Sequence, residues 1–244
     1  MELSILIPSR NEEFLAKTIQ NILENIEGNT EVIIVLDGQW ANPPVADDPR
    51  VIIVYHNTSI GQRAATNEAC RLSKAKYVMK VDAHCAFDKG FDVKLMADMK
   101  DDWTVVPLMK NLHAFDWVCK KCGDRRYQDN TPTSCPKCDN KTDFVKDVVW
   151  IAKKSPNSVS YCFDSEPHFQ YFGDFAKRPE GQGDITPTMS LQGSCWMMTR
   201  EKYWELNVCD ESFGSWGSQG IEVSMKTRLS GGEVMVTGKA RLLV

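Results

Sequence analysis

Over the first 85 residues, short apolar runs alternate with segments of helical periodicity. Three nearly continuous apolar runs, typical of strands buried in a parallel sheet, are residues 3–8, 31–36 and 51–55. From Asn11 to Ile26, apolar residues recur at helical spacing, residues 61–73 predict a second helix, and residues 77–81 predict a fourth strand. The alternation predicts βαβ units and therefore an α/β fold, with a mostly parallel sheet and flanking helices.

Polar residues follow three of these predicted strands directly. In open parallel sheets, ligands bind beyond the carboxyl ends of the strands. The segments at those ends are Ser9-Arg10-Asn11-Glu12, Asp37-Gly38 and Asp82-Ala83-His84. We therefore expect all three to line one crevice. Asp82 and His84 could hold a divalent cation there, which would also take phosphate oxygens of a ligand.

Residues 115–148 differ in composition from the rest, with four cysteines, many charges and few aliphatic side chains. The cysteines form two CxxC pairs twelve residues apart, which predicts one tetrahedral Zn²⁺ site of structural type: Cys119, Cys122, Cys135 and Cys138. From Cys119 to Lys146 there are seven Lys and Arg residues and four Asp and Glu residues. The segment is therefore either a structural clip or a module that docks an acceptor, nucleic acid included. We expect a zinc-ribbon insertion at 115–148 between two halves of one domain, residues 1–114 and 149–244.

The overall composition narrows the possible partners. Over 244 residues, 29 Lys and Arg against 33 Asp and Glu give a net charge of −4, so no global cationic field attracts nucleic acid or an anionic membrane. Neither a membrane-spanning apolar run nor a signal peptide is evident, and we expect a soluble, cytoplasmic protein without a membrane partner. In the last third of the chain, residues 193–198 predict a strand and residues 222–229 a helix.

The order of these motifs resembles the nucleotide-sugar half of GT-A glycosyltransferases of the family 2 type. The resemblance covers residues 2–85 and about 188–237, and the cysteine segment lies outside it. It is carried by residues 7–12, by Leu36-Asp37-Gly38, by Gly61-x-Arg63-x3-Asn67 and by Val81-Asp82-Ala83-His84, and later by residues 193–200 and 216–226. The Asp-x-His form is most similar to that of the polypeptide N-acetylgalactosaminyltransferases.

The resemblance implies a Rossmann-like GT-A fold and a set of donor-binding residues. Asp82 and His84 would hold manganese or magnesium on the diphosphate, and Arg63 would lie near the nucleotide. The nucleobase and ribose would contact Pro8, Ser9, Arg10, Glu12 and Asp37. The flat ring of Trp216 is a further candidate for stacking on the donor.

Two departures from the family pattern affect the chemistry. Inverting relatives carry an acidic pair where this chain has Gln219 and Gly220, so either Glu222 or Asp210 serves as the catalytic base, or the enzyme retains anomeric configuration without one. Relatives also supply a metal-binding His shortly after the segment matching residues 231–244. We expect that the sequence is truncated before it; a water in that coordination position is the alternative.

The leading hypothesis is a metal-dependent glycosyltransferase. It would move a hexosyl or N-acetylhexosaminyl group from a nucleotide diphosphate sugar to a hydroxyl of a glycan or protein. The resemblance implies that the donor is a UDP-sugar. A bacterial or viral source fits this hypothesis best. One alternative is transfer to hydroxymethylated bases in DNA, motivated by the ribbon and its local positive charge. The other is a non-catalytic zinc-ribbon adaptor on a GT-A fold. The sequence indicates neither the acceptor nor the oligomeric state.

Overall fold

The computed structural model describes residues 1–244 and contains five α-helices and fourteen strands. The helices are α1 (Leu15–Asn25), α2 (Gln62–Leu72), α3 (Phe91–Ala97), α4 (Arg200–Glu205) and α5 (Gln219–Leu229). The strands are β1 (Leu3–Ser9), β2 (Thr30–Asp37), β3 (Val51–His56), β4 (Tyr77–Val81), β5 (Ala86–Phe87), β6 (Trp103–Lys110), β7 (Leu112–Cys119), β8 (Arg125–Tyr127), β9 (Phe144–Ala152), β10 (Tyr161–Phe163), β11 (Phe169–Tyr171), β12 (Ile185–Pro187), β13 (Cys195–Thr199) and β14 (Glu233–Leu243). No helix combines the length and apolarity needed to cross a bilayer.

A nine-stranded sheet forms the centre of the molecule, in the order β12-β14-β6-β13-β4-β1-β2-β3, with β5 paired to β14. Strands β4, β1, β2 and β3 are parallel, as the apolar runs predict, and α1 and α2 supply the crossovers. Strand β13 joins this half to the other by antiparallel pairing with both β4 and β6. The predicted α/β class is confirmed.

Alternate residues of the central strands pack into two separate hydrophobic cores, one on each face of the sheet. In β1, Ile5 and Ile7 belong to a cluster with α1 and α3, whereas Leu6 belongs to a cluster with α2, α4 and α5. All three side chains are fully buried. A strand with apolar side chains on both faces stabilises a three-layer sandwich, since each fully buried Leu or Ile contributes about 1.5–3 kcal/mol.

Strand β3 differs from the sequence expectation. Its apolar run predicts a buried strand, yet Ile52, Ile53 and Tyr55 are each 37–42% exposed. The reason is its position, because β3 is the last strand of the sheet and pairs on one side only. Trp40 stacks on Tyr55 with ring centroids 4.2 Å apart and shields part of this edge.

The cysteine-rich segment lies on a small sheet of its own. Strand β7 pairs with β8 and β9 in antiparallel register, and Cys119, Cys122, Cys135 and Cys138 lie between the end of β7 and the start of β9. A minor core of Ala86, Leu112 and Ala114, with Phe14 packed against it, joins this sheet to the main domain. We call β7, β8, β9 and the segments between them the cysteine module.

Candidate functional site

The carboxyl ends of β1, β2 and β4 meet at one cavity of about 800 Å³, called here the first cavity. Its lining brings together the three segments that the strand ends predict, and it contains every expected donor residue except Arg63. The lining residues are Pro8, Ser9, Arg10, Glu12, Asp37, Ser59, Ile60, Gly61, Gln62, Asp82, Ala83, His84, Ser215 and Trp216. The sequence indicated the first-strand loop, Asp37 and Asp82 to His84, but not Ser59, Gln62 or Ser215.

Asp37 organises one wall of the first cavity. Its buried carboxylate accepts hydrogen bonds from the Ser59 hydroxyl at 2.7 Å and from the Gly61 backbone amide at 3.0 Å. Gly61 has φ +91°, and a Cβ there would lie 2.6 Å from the Cβ of Ser215. Glycine is therefore required for the α2 start to approach the loop that carries Trp216.

The loop after β4 presents Asp82 and His84. Thr18 of α1 fixes this loop, because its hydroxyl donates to the Ala83 carbonyl at 2.9 Å and accepts from the Cys85 amide at 3.1 Å. The His84 Nδ1 lies 3.4 Å from the Glu12 carboxylate, and that hydrogen bond raises the pKa of His84. A cation at this point would replace a proton on the imidazole.

Lys80 lies under Asp82 and was not anticipated from the sequence. Its side chain is 1% exposed, and its ammonium bonds both the Asp82 carboxylate and, at 2.7 Å, the Gly193 carbonyl. A buried ammonium needs such partners, because its desolvation cost is otherwise large. Lys80 therefore ties the β4 end to the segment before β13 and holds one oxygen of Asp82.

A second cavity of about 600 Å³ opens beside the first, and the two share Gln62, Asp82, His84 and Trp216. Its far wall is aromatic and amide-rich, with Phe169, Tyr171, Gln192 and Gln219 among the lining residues. His168 also lines it. Trp216, with a 78% exposed side chain, stands between the two cavities.

Gln219 occupies the place where an acidic residue was expected. It is 5% exposed, its amide nitrogen donates to the Cys209 sulfur at 3.0 Å, and its carbonyl oxygen has no partner. An amide accepts hydrogen bonds but does not take up a proton at neutral pH.

Arg63 and Glu222 form a buried ion pair instead of lining either cavity. The Arg63 Nη2 lies 2.7 Å from the Glu222 Oε2, and the side chains are 2% and 4% exposed. The other Glu222 oxygen accepts from Lys226 at 2.7 Å. Arg63, which the resemblance places near the nucleotide, also donates to the Gly217 carbonyl at 2.9 Å, next to Trp216 of the first cavity.

Neither candidate base fits the geometry. Both oxygens of Glu222 are held by cations, so it would have to break a buried pair to accept a proton. Asp210 lies outside both cavities, and hydrogen bonds from Ser212 lower its pKa, which makes it a weaker base. The two residues instead belong to one network, since the Asp210 amide donates to Glu222 at 3.2 Å.

The four cysteines of the module converge as the spacing predicts. All four sulfurs lie within 4.8 Å of one another, with Cys119 3.7 Å from Cys138 and Cys122 3.5 Å from Cys135. Zinc–sulfur bonds of about 2.3 Å in a tetrahedron place sulfurs about 3.8 Å apart, so the arrangement fits zinc. Although burial acts against ionisation, hydrogen bonds from Asn140 and the backbone lower the pKa of Cys119 to about 6.

A family model matches the first part of the chain. Residues 4–116 match the family model for glycosyl transferase family 2. The match ends within the expected insertion, so most of the cysteine module lies beyond the family 2 segment. No curated protein matches the chain in sequence.

Solved structures extend the likeness to the whole fold. A crystal structure of GalNAc-T7 with UDP, GalNAc and Mn²⁺ is similar with a TM-score of 0.70 and 15% identity, over 100% of this chain and 43% of that one. A crystal structure of S. aureus TarS, residues 1–349, is similar with a TM-score of 0.56 and 10% identity, over 99% of this chain and 60% of that one. The chain thus spans about half the length of these proteins, and it shares the GT-A fold over its whole length.

Proposed function

We propose that this protein transfers a sugar from a nucleotide diphosphate sugar, most simply a UDP-sugar, to a hydroxyl acceptor. The first cavity would hold the nucleotide and the second cavity the acceptor. The observation that carries the proposal is the junction of the two cavities at Asp82, His84 and Trp216. A donor bound in the first cavity would place its sugar at that junction, next to the acceptor.

A divalent cation fits the residues at the junction. Asp82 and His84 offer a carboxylate oxygen and an imidazole nitrogen, ligand types that Mn²⁺ and Mg²⁺ accept. Two protein ligands leave coordination positions for the diphosphate oxygens. When bound, the metal would stabilise the negative charge of the departing diphosphate. The similar GalNAc-T7 structure, which contains UDP and Mn²⁺, supports this assignment.

The second cavity favours a neutral acceptor. Its only acidic side chain is Asp82 and its only ammonium is that of Lys80, and these two are paired. Phe169, Tyr171 and Trp216 offer aromatic faces of the kind that pack on the apolar faces of sugars. We therefore propose a hydroxyl of a glycan, or of a protein side chain, as the acceptor.

DNA is a weaker candidate because the basic residues of the cysteine module are mostly paired. Of its seven Lys and Arg residues between Cys119 and Lys146, five form ion pairs with carboxylates. The two without an ion pair are Arg126 and Lys141. The module therefore presents little free positive charge for a phosphate backbone. The adaptor hypothesis is weakened by the intact donor cavity.

We propose that the reaction uses no dedicated protein base. Gln219 cannot take a proton, and Glu222 and Asp210 line neither cavity. The family resemblance links a missing base to retention of anomeric configuration. We therefore expect this reaction to retain the configuration. The sugar is expected to be a hexosyl or N-acetylhexosaminyl group.

Three further assignments stay proposals. The four cysteines would hold a structural Zn²⁺, because four thiolates leave no open position for catalysis. Residues 115–148 would be an insertion between two halves of the GT-A domain, 1–114 and 149–244. A cytoplasmic location is expected from the sequence.

The test is donor hydrolysis and binding by the purified protein across a panel of nucleotide sugars, with and without Mn²⁺. We expect one donor to be used, only with metal, and we expect Asp82→Asn to abolish its use with the fold intact by circular dichroism. Asp101→Asn is a matched control, because Asp101 is exposed and pairs with Lys76 at the opposite end of β4. The absence of binding to any donor would contradict the proposal, and an inverted product by NMR would contradict the base-free reaction.

A further inference from the structure

Lys146 of β9 connects the cysteine module to the loop between β1 and α1. Its ammonium bonds the Glu13 carboxylate and lies over the rings of Phe115 at 4.7 Å and Trp117 at 5.5 Å. The same ammonium is 5.9 Å from the ring of Phe14. Cation–π contacts and an ion pair converge on Lys146, which joins residues of the module to residues of the main domain.

Phe14 is the second part of the connection. Its ring stacks on Phe115 at 5.8 Å and tilts against Trp150 at 5.4 Å, both of them residues of the module. Phe14 directly precedes α1, and Glu13 precedes it. The contacts therefore clamp the last two residues of the loop between β1 and α1, residues 10–14, which we call the donor loop.

The donor loop has few other restraints. Arg10, Asn11 and Glu13 are exposed, and Asn11 has the strained φ of +55°. Arg10 and Glu12 line the first cavity, and Glu12 bonds His84 at 3.4 Å. The placement of the donor-binding side chains thus depends on how firmly residues 13 and 14 are held.

The metal site lies at the other end of the same ladder. In the β7–β9 pair, Lys146 is opposite Trp117, and Phe144 is opposite Cys119. The Lys120 amide bonds the Asp143 carbonyl at 3.0 Å, which continues the pairing toward the cysteines. Without a cation, no metal–sulfur bonds hold the four cysteines together, and this end of the ladder is less firmly fixed.

We propose that Lys146 is a positioning residue that holds the donor loop from the cysteine module, so that zinc occupancy and donor affinity are coupled. This inference rests on the proposed function, since the donor is the nucleotide sugar of the first cavity. Apparent affinity falls with the fraction of molecules in the binding-competent state. Coupling between two binding sites is reciprocal, so the donor must strengthen zinc binding by the factor by which zinc strengthens donor binding.

The experiment measures the UDP dissociation constant by calorimetry, in Mn²⁺, for the full chain and its variants. If the donor loop without Lys146 is in its binding-competent conformation about one fifth of the time, Lys146→Met raises the UDP dissociation constant about five-fold. Lys146→Arg should restore binding, because it keeps the charge and the cation–π contacts. Lys153→Met is the matched control, since Lys153 lies over Tyr127 at 4.4 Å on the same sheet but contacts no donor-loop residue.

Two further readouts separate positioning from a general loss of structure. Zinc content should stay at one per chain in all three variants, and hydrogen exchange of residues 10–14 should quicken in Lys146→Met alone. Removal of zinc by a chelator should raise the UDP constant of the wild type and leave that of Lys146→Met unchanged. UDP should also slow the transfer of zinc to the chelator in the wild type.

Unchanged UDP binding in zinc-loaded Lys146→Met, or an equal loss in Lys153→Met, would overturn the inference while leaving the proposed function intact. A wild type that binds no nucleotide would contradict the proposed function itself. In that case hydrogen exchange still decides the structural claim, because unaltered exchange of residues 10–14 in Lys146→Met would overturn it independently.

Discussion

Changing Glu222 to Gln decides whether this carboxylate acts as a base or holds the domain together. The change keeps the shape of the side chain but leaves the Arg63 charge without a counter-charge in a site where both side chains are under 5% exposed. Two further guanidinium nitrogens of Arg63, Nε and Nη1, are buried without a partner. Glu222 therefore supplies the main compensation for a desolvated cation.

Breaking a buried ion pair by removing one partner costs about 3–5 kcal/mol. Because Gln still accepts one hydrogen bond, we expect a loss of about 3 kcal/mol of unfolding free energy, at the lower end of that range. In a domain of this size each kcal/mol lowers Tm by about 2–4 °C, so Tm should fall by about 6–12 °C. The measurements are urea denaturation and thermal unfolding, together with donor turnover at a temperature where the variant is folded.

Loss of a general base slows a reaction about 10²–10⁴-fold. A catalytic Glu222 therefore predicts slow turnover with an unchanged Tm, whereas a structural Glu222 predicts a lower Tm with turnover largely kept. Glu205→Gln is the control, because Glu205 pairs with Lys202 at the surface and should leave Tm unchanged. The structural role also predicts a result for the double variant in which both Arg63 and Glu222 are changed to Met. Its loss of unfolding free energy should be smaller than the sum of the losses in the two single variants. A Glu222→Gln protein with wild-type Tm and a hundred-fold slower turnover would refute the reasoning.

Three other changes test the remaining parts of the site. Cys119→Ser combined with Cys122→Ser should abolish zinc binding, measured by elemental analysis, from an expected one ion per chain; a metal-free, fully folded wild type would contradict the zinc assignment. Trp216→Ala should leave Tm unchanged, because the ring is 78% exposed, yet weaken donor or acceptor binding several-fold in calorimetry; full affinity would remove Trp216 from the site. Lys80→Met should lower Tm, because it removes the partner of Asp82 and the bond to Gly193, and a wild-type melting curve would show that this buried pair contributes no net stability.

The parallel half of the fold was predictable because each of its signals is local. Continuous apolar runs mark strands with two buried faces, and the topology rule then places their carboxyl ends together. Asp37 and Asp82 were found for that reason, as polar residues directly after such runs. The cysteine spacing was equally informative, because two CxxC turns suffice to define a tetrahedral site.

The pairings between distant residues were not predictable. Arg63 and Glu222 are 159 positions apart, and a motif shows their presence but not that they neutralise each other. Strand β3 has the composition of a buried strand and lies at the edge, since one sequence contains no information on which strand ends the sheet. The far wall of the second cavity was not predicted, because Phe169, Tyr171 and Gln192 come from short, irregular segments without periodicity.

Lys80 connects several of these observations. Its ammonium lies at the junction of the two cavities and already offsets the charge of Asp82, so Asp82 has a reduced attraction for a free cation. His84 bonds the Glu12 carboxylate through Nδ1, so its other ring nitrogen, Nε2, is the one that could bind a metal while that bond is kept. A metal at this point would therefore draw much of its binding energy from the diphosphate of the donor, and metal and nucleotide would bind as a unit. Such a site would bind the metal alone only weakly, because it offers only two protein ligands.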